Sequence, residues 1–160
     1  HLQEWVFIPC LRALASDEQI NQYVERAQKY QVIGCYAQTE LAHGSNVAGL
    51  GTTATFIKET DEFEFHTPNP EACKWWVGQL EDWPITQVRS WGGRGFVLIF
   101  LMFTFVATQS VVFAQLIING TNYGPHPFIV QIRSMETHLP LPGVMIKVQL
   151  RNQFVFFFSI

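Results

Sequence analysis

The chain has 160 residues, 48% of them hydrophobic, so it is long and apolar enough to bury the core of one domain. Its formal net charge is −3, and the lack of a basic stripe excludes a surface built to neutralise nucleic-acid phosphates. Its three cysteines, Cys10, Cys35 and Cys73, have no CxxC or Cys/His spacing, which indicates a reducing compartment and no zinc site.

The start of the chain has the features of helices. Residues 2–15 form a less regular segment that contains Pro9, which kinks or bounds a helix. Ser16 followed by Gln19 is a capping-box pattern and predicts that a second helix begins there. Apolar residues recur with helical spacing on one face of this helix, at Ile20, Val24 and Ala27.

From residue 32 onward the apolar pattern becomes that of strands. Two hairpins are indicated, one around the turn 59–61 and one around Asn119-Gly120, a pair that favours a type I′ turn. Because helices come first and strands follow, the sequence predicts an α+β organisation. The predicted strands are residues 32–37, 54–58, 62–66, 111–118 and 128–133.

One apolar run raises the question of a membrane. Residues 96–107 are almost wholly apolar, but the run is shorter than the roughly 20 residues that a spanning helix needs. A buried element is therefore favoured. The alternative is a small membrane-associated protein anchored by residues 96–118, where polar but uncharged residues interrupt the apolar pattern.

Two further patterns have simpler explanations than the functions they suggest. Residues 49–54 match the GxGxxA dinucleotide fingerprint, but strand-like sequence follows them where a helix is required. Asn119-Gly120-Thr121 matches the N-glycosylation pattern, and the predicted hairpin turn explains it without a secretory pathway.

The most specific signal is a set of motifs in a fixed order. Tyr36-Ala37-Gln38-Thr39-Glu40 is followed by His43-Gly44 and later by Lys74-Trp75-Trp76. Residues 111–116, 126–133 and 140–143 continue the pattern. Together these motifs resemble the peroxisomal acyl-coenzyme A oxidases, and the resemblance covers roughly residues 1–80 and 109–144.

The resemblance implies a fold and a function. The expected fold is the C-terminal part of an α-helical domain (1–31) followed by a β-barrel-like antiparallel FAD-binding middle domain (32–150) of the acyl-CoA oxidase and dehydrogenase type. The implied activity is FAD-dependent oxidation of acyl-CoA to trans-2-enoyl-CoA, with O₂ reduced to hydrogen peroxide, in peroxisomal fatty-acid β-oxidation. The parent enzyme is expected to be a homodimer.

The resemblance also assigns site residues. Thr39 and Gly78 match the positions that contact FAD in the family, Ser45 is a weaker candidate, and Trp76 could pack on the flavin. Each has an ordinary alternative as a strand-end, turn or core residue. No catalytic residue is expected here: Glu40 and His43 are the nearest candidate bases, but the family's carboxylate base lies in a C-terminal region that the chain does not contain.

The departures from the family pattern predict an incomplete product. An atypical insertion is expected at about 81–108, and an apolar tail outside the family pattern at 151–160. With no initiating Met and no signal peptide at His1, we expect a fragment or a splice- or intron-containing product, inactive alone or pairing with a full-length subunit. The last three residues are not a Ser-Lys-Leu peroxisomal address, so localisation rests on the family.

Overall fold

The computed structural model describes residues 2–75, 77–78, 107–150 and 154–159. The expected insertion lies almost wholly outside these residues, as does Trp76. Strands follow a helical start, so the predicted α+β class is confirmed. The strands are β1 (Gly34–Ala37), β2 (Thr53–Ile57), β3 (Glu62–His66), β4 (Lys74–Trp75), β5 (Gln109–Ile118), β6 (Thr121–Gln131), β7 (Met145–Leu150) and β8 (Phe154–Ser159).

The helical start consists of a π-helical stretch, Gln3–Phe7, that runs directly into α1 (Ile8–Leu14), followed by α2 (Asp17–Gln28). Pro9 is the second residue of α1 and lies just after the π-helical stretch. The predicted capping box is confirmed. The Gln19 N–H donates to Ser16 Oγ at 3.3 Å, and the Ser16 N–H donates to Gln19 Oε1 at 3.0 Å.

Strand β5 is the centre of the larger sheet. It pairs antiparallel with β6 on one side, and on the other side it pairs in parallel first with β1 and then with β2. Strand β3 is antiparallel to β2, as the first predicted hairpin requires. The described sheet is therefore mixed and open, where the sequence predicts an antiparallel, barrel-like one.

The β5–β6 hairpin turns at the predicted Asn119-Gly120 pair. Both residues have positive φ, 51° and 76°, as a type I′ turn requires. The Ile132 N–H, one residue past β6, donates to Thr108 O on the β5 side. Backbone N–H groups along β6 point alternately toward and away from β5, and the nitrogens of Pro125 and Pro127 point away. The two prolines therefore cost no hydrogen bond to β5, and they remove donors from the outer edge of β6, which protects that edge from pairing with another strand.

The smaller sheet has the order β4-β8-β7, and all its pairings are antiparallel. The apolar tail, which the sequence places outside the family pattern, thus supplies its central strand, β8. Residues 109–118 of the proposed membrane anchor form β5, which is paired along both edges. Among the described residues, no helix combines the length and apolar character needed to cross a bilayer.

Two apolar clusters lie on the two faces of the larger sheet. On one face Phe7 and Leu11 pack with Val24 and Ala27 of α2 and with Val111 of β5. On the opposite face the buried residues are Cys35, Ala37, Val77, Ala107, Val112 and Ile132. The alternation along β1 and β5 thus places helices on one face and the loops that lead to the smaller sheet on the other.

Candidate functional site

The predicted site begins at the turn that follows β1. Residues 40 and 43 close this turn with two backbone hydrogen bonds, Glu40 N to His43 O at 3.1 Å and His43 N to Glu40 O at 3.2 Å. The neighbouring β4 segment holds it from the side, because Trp75 N donates to Thr39 O at 2.9 Å and Leu41 N donates to Cys73 O at 2.9 Å. The turn is therefore fixed at both ends.

A buried ion pair joins the same two segments. Lys74 Nζ lies 2.9 Å from Glu40 Oε1, and the two side chains are only 1% and 2% exposed. Glu40 also accepts hydrogen bonds from the Gly51 N–H at 2.7 Å, the Thr52 N–H at 3.0 Å and Thr52 Oγ1 at 2.7 Å. Both carboxylate oxygens are thus occupied by donors.

These contacts determine the charge state of the pair. Burial alone would raise the pKa of Glu40, but hydrogen bonds from Gly51, Lys74 and Thr52 outweigh it and lower the pKa. Burial lowers the pKa of Lys74, and the bond and charge of Glu40 oppose that shift. Because the Glu40 carboxylate is buried, ionised and held by four donors, it is not a free base for a substrate proton.

Thr39 precedes Glu40 in the chain. Its side chain is partly buried, and no described residue hydrogen-bonds to its hydroxyl. Gly44 approaches it closely: a Cβ at position 44 would lie 3.4 Å from Thr39 Cγ2 and 3.6 Å from Oγ1. The buried Nδ1 of His43 also has no partner among the described residues. Within the part of the chain that the structure describes, this end of the turn therefore has hydrogen-bonding groups without partners.

Of the other predicted site residues, Gly78 lies outside this turn and Ser45 follows it directly in the chain. Gly78 packs directly on the Leu2 side chain, so a Cβ there would overlap it, and it borders a cavity of about 180 Å³ with Val6, Cys35 and Tyr36. Ser45 is exposed and follows Gly44. No hydrogen bond among the described residues joins either residue to Thr39. Tyr36, which borders the same cavity as Gly78, donates from Oη to Gln38 Oε1 at 2.8 Å, one residue before Thr39.

Comparison with known proteins decides the family, although no protein-family model matches the chain. Peroxisomal acyl-coenzyme A oxidase 1 of Arabidopsis thaliana is 46% identical over 141 residues, which is 88% of this chain and 18% of that protein. The oxidase of the same name from Dictyostelium discoideum is 43% identical over 151 residues, 91% of this chain and 18% of that protein. The chain belongs to the acyl-coenzyme A oxidase family.

Solved structures of acyl-CoA oxidases agree. The tomato oxidase LeACX1 has a TM-score of 0.80 and 40% identity over 99% of this chain and 22% of its own. Acyl-CoA oxidase-2 of Caenorhabditis elegans, solved with FAD, ascaroside-CoA and ATP, has a TM-score of 0.77 and 36% identity over 99% of this chain and 22% of its own. The sequence resemblance is confirmed, and the chain spans about a fifth of these oxidases.

The ion pair is the part of this acyl-CoA oxidase segment that sequence reasoning missed. Glu40 and Lys74 both lie in the family motifs, but the sequence does not indicate that they pair, and it indicates no role for Thr52. A signal was present, since Lys74 precedes two tryptophans in an apolar context and a buried lysine needs an anion. A separate groove of about 840 Å³ lies between α1 and strands β3, β5 and β6, and none of the predicted site residues lines it.

Proposed function

We propose that this chain forms part of the flavin site of a peroxisomal, FAD-dependent acyl-CoA oxidase, an oxidoreductase of fatty-acid β-oxidation. The names of its relatives and the FAD in two structural neighbours support the class. The observation that carries the proposal is the Thr39 hydroxyl, held on a fixed turn without a partner among the described residues. We also propose that acyl-CoA and O₂ are the substrates and that the parent enzyme is a homodimer. Residues 1–31 are proposed to end its helical domain, and residues 32–150 to belong to its FAD-binding domain.

The residues of the turn fit FAD by the chemistry of their donors. Thr39 Oγ1 can donate to the polar edge of a flavin ring, and Gly44 leaves that hydroxyl uncovered because it has no side chain. FAD, when bound, would take a hydride from the β-carbon of the acyl thioester and pass its electrons to O₂, which yields hydrogen peroxide. Gly78 and Ser45 are proposed as further contacts on the family pattern alone.

The chain supplies the cofactor side of the reaction and not its base. Removal of the α-proton requires a group within hydrogen-bond reach that has a free lone pair. The Glu40 carboxylate is 2% exposed and is held by Lys74, Gly51 and Thr52, so it is out of reach of a substrate proton while the network is intact. We therefore propose that the base comes from another part of the parent oxidase.

The test uses a graft, defined as tomato acyl-CoA oxidase with residues 1–78 of this chain in place of the matching segment. Thr39→Val removes the hydroxyl at nearly constant volume, whereas Thr39→Ser retains it and serves as the matched control. We expect Thr39→Val to weaken FAD binding by roughly tenfold or more, since hydrogen bonds to charged groups contribute about 1.5–3 kcal/mol. The measurements are bound flavin by visible absorbance and the FAD dissociation constant.

Equal FAD affinity in the Thr39→Val and Thr39→Ser variants would show that the Thr39 hydroxyl does not bind the flavin. A graft that folds but binds no FAD would contradict the proposed function itself.

A further inference from the structure

We propose that the buried Glu40–Lys74 ion pair is a positioning element that sets the orientation of Thr39 toward the flavin. The inference rests on the proposed function, since it assigns the task of the pair within that site. Glu40 and Lys74 are positioning residues in this account: they act through Thr39 and do not touch the cofactor themselves.

The first step is that β4 holds three consecutive residues of the turn. Lys74 Nζ bonds Glu40 Oε1 at 2.9 Å and Gln38 O at 3.4 Å, one residue on each side of Thr39. The Trp75 N–H then bonds the carbonyl of Thr39 itself at 2.9 Å. The backbone on both sides of the Thr39 Cα is therefore fixed by two adjacent residues of one strand.

The second step is alternation along an extended chain. Glu40 forms an antiparallel bridge with Lys74, and successive side chains of such a segment point to opposite faces. Because Glu40 is directed inward and is 2% exposed, its neighbour Thr39 is directed outward. Rotation of this backbone to reorient Thr39 would require the carboxylate to leave its buried partners.

The third step is that the carboxylate is anchored to other parts of the fold. It receives the N–H groups of Gly51 and Thr52, and Thr52 Oγ1 lies 3.1 Å from Ala72 O. A Cβ at Gly51 would lie 2.8 Å from Ala72 Cβ, so glycine permits this close approach. The loop before β2 and the turn before β4 thus meet at one carboxylate.

Stability alone does not account for such a pair. Burying two charges costs desolvation that their attraction often fails to repay, and well-packed apolar replacements are frequently neutral or stabilising. What the pair provides is one fixed arrangement, because each charge has a single set of partners that satisfies it. In this fold the residue so arranged is Thr39.

The test is a mutant cycle in the graft, with Thr39→Val and the double replacement Glu40→Leu/Lys74→Met made separately and together. We expect the double replacement to weaken FAD binding by roughly tenfold and to move the flavin midpoint potential in the same direction as Thr39→Val. The melting temperature of the apo form should fall, because the N–H groups of Gly51 and Thr52 lose their acceptor, so FAD affinity is measured at a temperature where the apo variant is folded. Adding Thr39→Val to the double replacement should then have almost no further effect.

Thr52→Val supplies a milder variant, in case the double replacement does not fold. It removes one donor to Glu40 without leaving an unpaired charge, and we expect about a threefold loss of FAD affinity. Thr55→Val in β2 is the matched control, because Thr55 takes no part in the network, and it should leave affinity unchanged.

The outcomes separate the two proposals. The positioning role would be overturned if the losses of FAD affinity from Thr39→Val and from the double replacement multiplied independently. It would also be overturned if a folded network variant kept its FAD affinity and flavin potential. Either result would leave the proposed flavin site intact. Absence of FAD from the unaltered graft would overturn the proposed function, and the positioning role with it.

Discussion

Gly34 lies against the face of the Phe7 ring so closely that a Cβ at position 34 would overlap three of the ring's carbon atoms. The contact joins the first residue of β1 to the helical start of the chain. Phe7 is 1% exposed and belongs to the apolar cluster under the helices, so the ring has little room to move. A glycine is therefore required at position 34 for packing.

We predict that Gly34→Ala lowers the free energy of unfolding by about 1–3 kcal/mol, the usual cost of overpacking a core. The measurement is urea or thermal unfolding of the chain. Gly44→Ala is the control, because a Cβ there meets only ordinary contacts. Phe7→Leu combined with Gly34→Ala should recover part of the loss, and equal stability of the two glycine variants would contradict the packing argument.

Gln3 connects the same two regions through polar contacts. Its Nε2 donates to Ala27 O at 3.0 Å and Val32 O at 2.8 Å, and its Oε1 accepts from the Gly34 N–H at 2.8 Å. Gln3→Met keeps the volume but leaves buried backbone groups unpaired, each at about 1–3 kcal/mol. We predict a loss of at least 2 kcal/mol in urea unfolding. The exposed Gln31→Met is the control, and an equal effect of both changes would contradict the prediction.

How much of this fold the sequence predicts depends on how far apart in the chain the interacting residues are. The capping box at Ser16 and the hairpin at Asn119-Gly120 follow from neighbouring residues, and both are correct. The parallel pairing of β1 with β5 joins segments far apart in the chain, and no local pattern specifies it. The same holds for β8, whose apolar tail sequence gives no register for pairing with β4 and β7.

The candidate site follows the same rule. The motifs predict Thr39 as a binding residue, and the structure leaves its hydroxyl without a partner among the described residues. The Glu40–Lys74 pair could not be predicted from periodicity, because it depends on β4 lying beside the turn. Charges that are far apart in sequence become partners only when the backbone brings them together.

The network predicts how stability depends on pH. The pKa of Glu40 is lower in the folded chain than its ordinary value, so the folded state binds fewer protons than the unfolded state near that pH. This contribution is fully present above about pH 4.5 and is lost as the pH falls through the folded pKa. We therefore predict that the free energy of unfolding declines on acidification below that point.

The check is urea unfolding between neutral and acidic pH for the chain and for Glu40→Leu/Lys74→Met. The double replacement removes both titrating partners without leaving either charge unpaired. The free energy of unfolding of the double replacement should decline less steeply on acidification than that of the unaltered chain. Identical slopes would show that other carboxylates determine the acid sensitivity.

The last prediction concerns turnover by the 160-residue chain alone. Oxidation of an acyl thioester requires a base at the α-carbon while the flavin accepts hydride from the β-carbon, and both groups must be positioned together. Glu40 accepts hydrogen bonds from four donors. His43 lies in a tight turn, and Nδ1 of its imidazole ring is buried. We therefore expect no acyl-CoA-dependent peroxide from the chain with excess FAD, in a coupled peroxidase assay run beside full-length tomato oxidase. Free FAD and a long-chain acyl-CoA are both added in excess, so that neither cofactor nor substrate is limiting. Turnover within about tenfold of the full-length enzyme would place the base within residues 1–160 and contradict the division of roles proposed above.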